Sequence, residues 1–200
     1  MRKTMVFFVL LMGWLGAVSA ADAPTAATAK ATFAGGCFWC MEPPFDALAG
    51  VSTTISGYTG GQAKQPTYDA VSSGRTGHVE ALQVIYDPKQ IGYQQLLDVF
   101  WRNIDPLDGG GQFCDRGEQY TTAIFYHNDE QKRLAEQSKQ KVAARLGRTI
   151  VTPIRPAAEF YAAEAYHQDY YQRNPLRYKY YRFSCGRDKR LEQLWGKSPS

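Results

Sequence analysis

The first half of the chain alternates apolar and polar positions in short stretches and then switches to a helical period. Ala31-Thr-Phe-Ala-Gly35 reads as a short buried strand closed by Gly35-Gly36, and Phe38 to Leu48 as a helix in which Pro43-Pro44 marks a break or an early turn. Val51 to Tyr58 and His78 to Tyr86 alternate and are rich in strand-forming residues, with a Gly/Pro/Ser-rich excursion from Thr59 to Gly77 between them. Tyr93 to Ile104 places Leu96, Leu97, Phe100 and Trp101 on one face, the spacing of a helix.

The second half repeats the mixture. A Gly-rich loop from Asp105 to Gly117 leads to a strand at Thr121 to Tyr126, a long charged helix at Glu130 to Leu146 and a strand at Ile150 to Ile154. Glu159 to Tyr171 reads as helix, and the tyrosine-heavy stretch that continues to Phe183 fits neither period. About five strands broken up by helices predict an α+β fold: a two-layer sandwich of mixed sheet with helices on one face, in a ferredoxin-like arrangement, with long loops and a C-terminal tail.

The N-terminus stands apart from this pattern. Arg2 and Lys3 precede an apolar run from Met5 to Val18, shorter than a bilayer span, and Val18-Ser19-Ala20 offers small residues to a peptidase. Residues 1–20 are therefore expected to be a signal peptide cleaved after Ala20, residues 21–30 an Ala/Thr-rich linker and 31–200 a single domain, exported to the periplasm or secreted. At 200 residues and 44% hydrophobic composition, the chain has material for one core and no room for two large ones. Removing Arg2 and Lys3 leaves 21 basic against 19 acidic residues, too balanced for a dedicated nucleic-acid binder; a monomer is expected.

Candidate chemistry begins at Gly36-Cys-Phe-Trp-Cys40. A cysteine between a strand and the first turn of a helix faces unpaired backbone N–H groups, which favours its thiolate and makes Cys37 a candidate nucleophile. Against this stand a pair of buried core thiols or a structural bridge, since free cysteines are commonly buried. A thioredoxin-like dithiol is a second alternative, although Phe38-Trp39 is a bulky filling for such a motif. Zinc is disfavoured and no metal is expected, because Cys114 and Cys185 stand alone without histidines at ligand spacing.

Five ordered motifs then converge. Gly35-Gly-Cys-Phe-Trp-Cys40, Pro66-Thr-Tyr68, Gly77-His-Val-Glu80, Asp115-Arg-Gly-Glu-Gln-Tyr120 and Ala163-Glu-Ala-Tyr-His167 together resemble peptide-methionine (S)-S-oxide reductase, the A-type methionine sulfoxide reductase, from about Phe33 to Trp195. The resemblance implies reduction of methionine S-sulfoxide in proteins, or of the free amino acid, without a prosthetic cofactor and with a thioredoxin-type dithiol as external reductant. Cys37 would attack sulfur. Glu80, on an alternating strand with apolar neighbours, would hold and donate a proton, whereas taken alone it reads as an ordinary surface carboxylate. Tyr68 and Tyr120, two of 13 tyrosines and singled out by motif, would donate to the sulfoxide oxygen; Phe38 and Trp39 would hold the substrate methyl; Asp115 would orient the tyrosines; His167 reads as structural.

Attack leaves Cys37 as a sulfenic acid that a second thiol must resolve. Cys185 is the first candidate, since similar enzymes keep a recycling cysteine near the C-terminus, although this chain continues past it through Asp188 to Trp195. Cys40 is the second, at a helical spacing that strains a bridge unless the turn opens, and Cys114 the third. The alternative from a different class is a non-enzymatic secreted domain stapled by Cys37–Cys40 and Cys114–Cys185 bridges.

Overall fold

The computed structural model describes residues 28–197, so the signal-peptide expectation lies outside the described residues. The chain runs β1 (Ala29–Gly35), α1 (Phe38–Asp46), β2 (Val51–Thr59), α2 (Tyr68–Ser72), β3 (Val79–Tyr86), α3 (Tyr93–Arg102), β4 (Gly111–Gln112), β5 (Asp115–Arg116), β6 (Thr122–Tyr126), α4 (Asp129–Leu146), β7 (Ile154–Pro156), β8 (Phe160–Ala162), α5 (Tyr170–Arg173), α6 (Pro175–Ser184) and α7 (Arg187–Trp195). Six strands form one mixed sheet in the order β7-β6-β1-β3-β2-β8; β6 and β7 pair in parallel, and every other pair is antiparallel. β4 and β5 make a separate hairpin.

Strand alternation decides which face is covered. Phe33 of β1, Leu82 and Val84 of β3 and Ile124 of β6 point to one face and join Phe45 of α1, Leu96, Leu97 and Phe100 of α3 and Ala135 of α4 in the main core. Phe33 stacks between Phe45 and Phe100 at centroid distances of 5.4 and 5.0 Å. Each such side chain contributes about 1.5–3 kcal/mol by leaving water. The other face carries a thin cluster of Ala34, Val79, Ala81, Ala123 and Phe125, against which Phe160 packs. The helices begin and end where local chemistry dictates: Asn128 caps α4 by accepting from Gln131 N–H, and Gly147 closes it in the left-handed region at φ 61°.

Several expected elements differ, each for a local reason. β1 starts at Ala29, inside the expected linker, because Ala29 and Lys30 pair with Tyr86 and Ile85. α1 passes through Pro43-Pro44 and ends at Asp46; with one turn left, the missing N–H groups cost two bonds rather than a long ladder. The Thr59–Gly77 excursion contains α2, capped by Thr67. The strand expected at Ile150–Ile154 lies instead at Ile154–Pro156, while Ile150 enters the core from a loop and Thr152 is held by the Thr122 hydroxyl. Glu159–Tyr171 is not a helix: Phe160–Ala162 joins the sheet edge, and Asp169 takes φ 53°, outside helical geometry. The tyrosine-rich stretch forms α5 and α6, and the tail folds back as α7, burying Leu191 and Trp195 in the core.

Candidate active site

The turn that presents Cys37 is made possible by Gly36. Its φ of +78° disfavours a side chain, and a Cβ there would come within 2.5 Å of the Gln112 Cβ. Gln112 is itself locked, its carboxamide accepting from Asp105 N–H and donating to Asp105 O. Cys37 becomes the N-cap of α1 and Cys40 follows one turn later, with its N–H donating to the Cys37 carbonyl at 3.0 Å. Both thiols are free and buried, one helical turn apart. Burial, then Cys40 and the nearby Glu80 and Asp115 carboxyls, push the Cys37 thiol up, so the expected depression at the helix N-terminus is not found. The adjacent Cys37 thiol, helped by the Arg187 and Arg182 guanidiniums, acts against burial to lower Cys40.

Glu80 lies on the helix-covered face of β3 with 2% of its surface exposed, and its Oε2 accepts from Phe38 N–H at 3.1 Å. Burial pushes its carboxyl up to about 8 against that single hydrogen bond, so the group is a neutral acid at pH 7. Tyr68 opens α2, where Glu164 accepts its N–H at 2.9 Å; the other Glu164 oxygen accepts from the Tyr58 hydroxyl at 2.8 Å. Tyr120 ends a single 3₁₀ turn that starts after Gly117. Burial, reinforced by the Glu80 charge, pushes Tyr68 up to about 12 and Tyr120 higher, so both keep their O–H. Asp115, on β5, accepts from the Tyr181 hydroxyl of α6, and burial raises its carboxyl.

These groups converge on a cavity of about 80 Å³. Cys37, Glu80, Tyr68, Tyr120 and Asp115 bring polar atoms to it, and Phe38, Trp39 and Tyr181 wall it with aromatic surface. Trp39 is fixed on two sides: it stacks on Tyr170 at 3.8 Å with the planes 6° apart, and its indole N–H donates to His167 Nδ1 at 3.0 Å. Burial holds His167 below the usual histidine range, as an acceptor requires. His78 ties the preceding loop, accepting from Gly61 N–H at Nδ1 and bonding Ala63 O through Nε2 at 2.7 Å. A larger groove of about 700 Å³ beside α4 includes Glu136 and Arg148, but its Lys139 ammonium is engaged by Thr152 O and no such convergence occurs there.

Every residue expected at the reacting centre therefore lines one cavity, with Cys40 behind Cys37. Cys185 does not line the cavity but lies at its edge: it is bonded to Cys114, 71 positions away in the chain, and the two sulfurs and an Asp115 carboxylate oxygen lie within 4.8 Å of one another. The stapled-domain alternative required two bridges, and Cys37 and Cys40 are unbridged. Four positioning groups escaped sequence reasoning. Glu164 sat inside a quoted motif without a role; Tyr170 and Tyr181 lay in or beside the stretch without a period; Arg187, buried at 2% exposure, carried no local signal at all.

A soft nucleophile paired with a second thiol, a neutral carboxyl and two phenol donors around a small aromatic-walled cavity define a thiol-dependent reductase that removes oxygen from a small group. The sequence profile of the family described as "Peptide methionine sulfoxide reductase" matches residues 29–199. Peptide methionine sulfoxide reductase MsrA of Bacillus licheniformis is 53% identical over 169 residues, which is 84% of this chain and 93% of that protein. Among solved structures, the reduced form of Mxr1 from Saccharomyces cerevisiae superposes with TM-score 0.71 at 34% identity, covering 74% of this chain and 86% of that one. Mxr1 in complex with Trx2 gives 0.50 at 25% identity, covering 76% and 90%. The chain belongs to the peptide methionine sulfoxide reductase family and is a thiol-dependent enzyme that reduces methionine sulfoxide.

Proposed function

We propose that Cys37 attacks the sulfur of methionine S-sulfoxide while Glu80 protonates the departing oxygen and the Tyr68 and Tyr120 hydroxyls donate to it. The observation that carries this reading is the buried Glu80 carboxyl lining the same cavity as Cys37 with a single hydrogen bond, from Phe38 N–H; burial raises it to about 8, so it is protonated at neutral pH. Phe38 and Trp39 hold the methyl group, and Asp115 acts through Tyr181. The protonated oxygen passes to the Cys37 sulfur as the substrate S–O bond breaks, methionine leaves with that electron pair, the Cys37 thiol proton returns to Glu80, and Cys37 remains as sulfenic acid. Cys40, the free thiol one helical turn away, condenses to a disulfide and releases water. Both electrons come from thiols, so no prosthetic group is needed, and a thioredoxin-type donor restores the dithiol.

A second reading concerns Cys185. Cys114 is exposed, whereas Cys37 and Cys40 are buried. A reduced Cys114–Cys185 pair would pass oxidation outward by exchange with Cys37–Cys40, leaving the state seen here, with Cys114 and Cys185 joined and the inner thiols free. Cys40→Ser, given one equivalent of methionine sulfoxide peptide, should release one methionine and leave a Cys37 sulfenic acid trappable by dimedone; normal disulfide formation in that variant would assign resolution to Cys185 or Cys114. With thioredoxin as donor, Cys114→Ser separates the relay from direct reduction by stalling only if the relay operates.

The strand order β6-β1-β3-β2 with helices between β1 and β2 and between β3 and β6 supports a ferredoxin-like description. We also propose that the protein is exported and processed before Ala21. Mass spectrometry of the mature protein from its native host, starting at Ala21, is the expected result; retention of Met1 would refute it.

A further inference from the structure

Arg187 is among the largest fully buried side chains of the protein and has no carboxylate partner among the described residues. Its Nη2 donates to Asn103 O at 2.6 Å, to Gly35 O at 3.3 Å and to Met41 Sδ at 3.4 Å, its Nε has no partner, and its guanidinium lies over the Phe113 ring at 4.4 Å. A cation surrounded by neutral acceptors is unfavourable away from water unless an anion lies close by. Gly35 and Met41 bracket the two catalytic thiols in the sequence, which places the charge behind the Cys37–Cys40 turn. We propose that Arg187 is a positioning residue that supplies the positive charge the Cys40 sulfur needs to attack the Cys37 sulfenic acid. This rests on the reading that Cys40 resolves.

The other charged and titratable groups around Cys40 do not substitute for it. Cys37, on the same turn, lowers it but is consumed as sulfenic acid before resolution begins. Arg182 of α6 is already matched by Asp188, whose carboxylate accepts its Nε at 2.9 Å. Tyr178 of α6 is held neutral by burial, and Asp115 of β5 and Glu80 of β3 repel an anion on Cys40 when ionised. Arg187 is the cation of the set that no carboxylate salt-bridges among the described residues; Asp115, which it also faces, is bonded by the Tyr181 hydroxyl instead. The step balances: the Cys40 thiolate displaces hydroxide from the Cys37 sulfenic sulfur, the S–O bond breaks, an S–S bond forms, and a proton converts hydroxide to water.

The test follows the pH dependence of Cys40 itself. Thiolate absorbance near 240 nm, which needs no reagent to reach the buried Cys40, should show its first thiol step well below the ordinary thiol range in the native protein. In Arg187→Met the midpoint should rise by at least about one pH unit, and Cys37–Cys40 disulfide formation at pH 7 after a single sulfoxide turnover should slow about tenfold or more, since one unit changes the thiolate fraction tenfold. Arg187→Lys should restore the profile in large part, which a purely structural loss would not. An ordinary thiol midpoint in the native protein overturns the proposal, and this result does not depend on any variant folding. Equal midpoints in native and folded Met variants also overturn it. Disulfide formation persisting in Cys40→Ser would instead overturn the assignment of Cys40 as resolving thiol.

Discussion

Replacing Glu80 with glutamine keeps the shape and a hydrogen-bonding group but removes the transferable proton. In the native protein the carboxyl is buried and raised to about 8, against 4.5 ordinarily. An unfolded chain at pH 7 therefore gains roughly 3 kcal/mol by ionising this group, at about 1.4 kcal/mol per pH unit, and the folded state forgoes that gain. Because the folded value is the higher one, this contribution to stability is intact below about pH 4.5, declines as pH rises and levels off above about 8. Glu80→Gln should thus be as stable as the native protein or more so at pH 7, by up to roughly 3 kcal/mol, with the difference vanishing near pH 4. Its first turnover, measured as methionine released from one equivalent of sulfoxide peptide by rapid quench, should fall by about 10²- to 10⁴-fold. The native first-turnover rate should decline above about pH 8 as the acid ionises, and this limb should be missing in the variant. A native rate that does not decline between pH 7 and 9, or an unchanged first turnover in the variant, would refute the assignment of Glu80 as the acid.

Cys37→Ser should abolish even the first turnover, because a hydroxyl is far less nucleophilic towards sulfur than a thiol; residual methionine release by the folded variant would show that another thiol attacks. Tyr68→Phe and Tyr120→Phe should each lower the first-turnover rate by about 10²-fold if both phenols donate to the oxygen, and a loss confined to KM would assign them to binding alone. Cys185→Ser should lose about 4 kcal/mol in denaturant titration under oxidising conditions, the loop entropy of a bridge closing 71 residues. Equal stability of the variant and the oxidised native protein would mean that the bridge does not constrain the unfolded chain.

What the sequence determined by itself is local. The strand–glycine–cysteine–helix order follows from near-neighbour periodicity, and Gly36 at positive φ delivers Cys37 to the turn as expected. Glu80 by itself reads as a surface carboxylate, and only the resemblance at Gly77-His-Val-Glu80 marks it as a site residue; in the fold it shares a face of β3 with Leu82, which the core covers. The helix expected over Glu159–Tyr171 failed because there side chains serve distant partners: Glu164 bonds Tyr58 and Tyr68, and β8 pairs with β2 across about a hundred residues. Tertiary structure alone brought α6 and α7 back over the site. It set Tyr181 on Asp115, joined Cys185 to Cys114 and buried the Arg187 charge behind Cys40. None of these is a nearest-neighbour property. Periodicity reports which face of an element seeks burial, but the titration of the two thiols depends on burial and on charges from remote segments, which only the folded chain brings together.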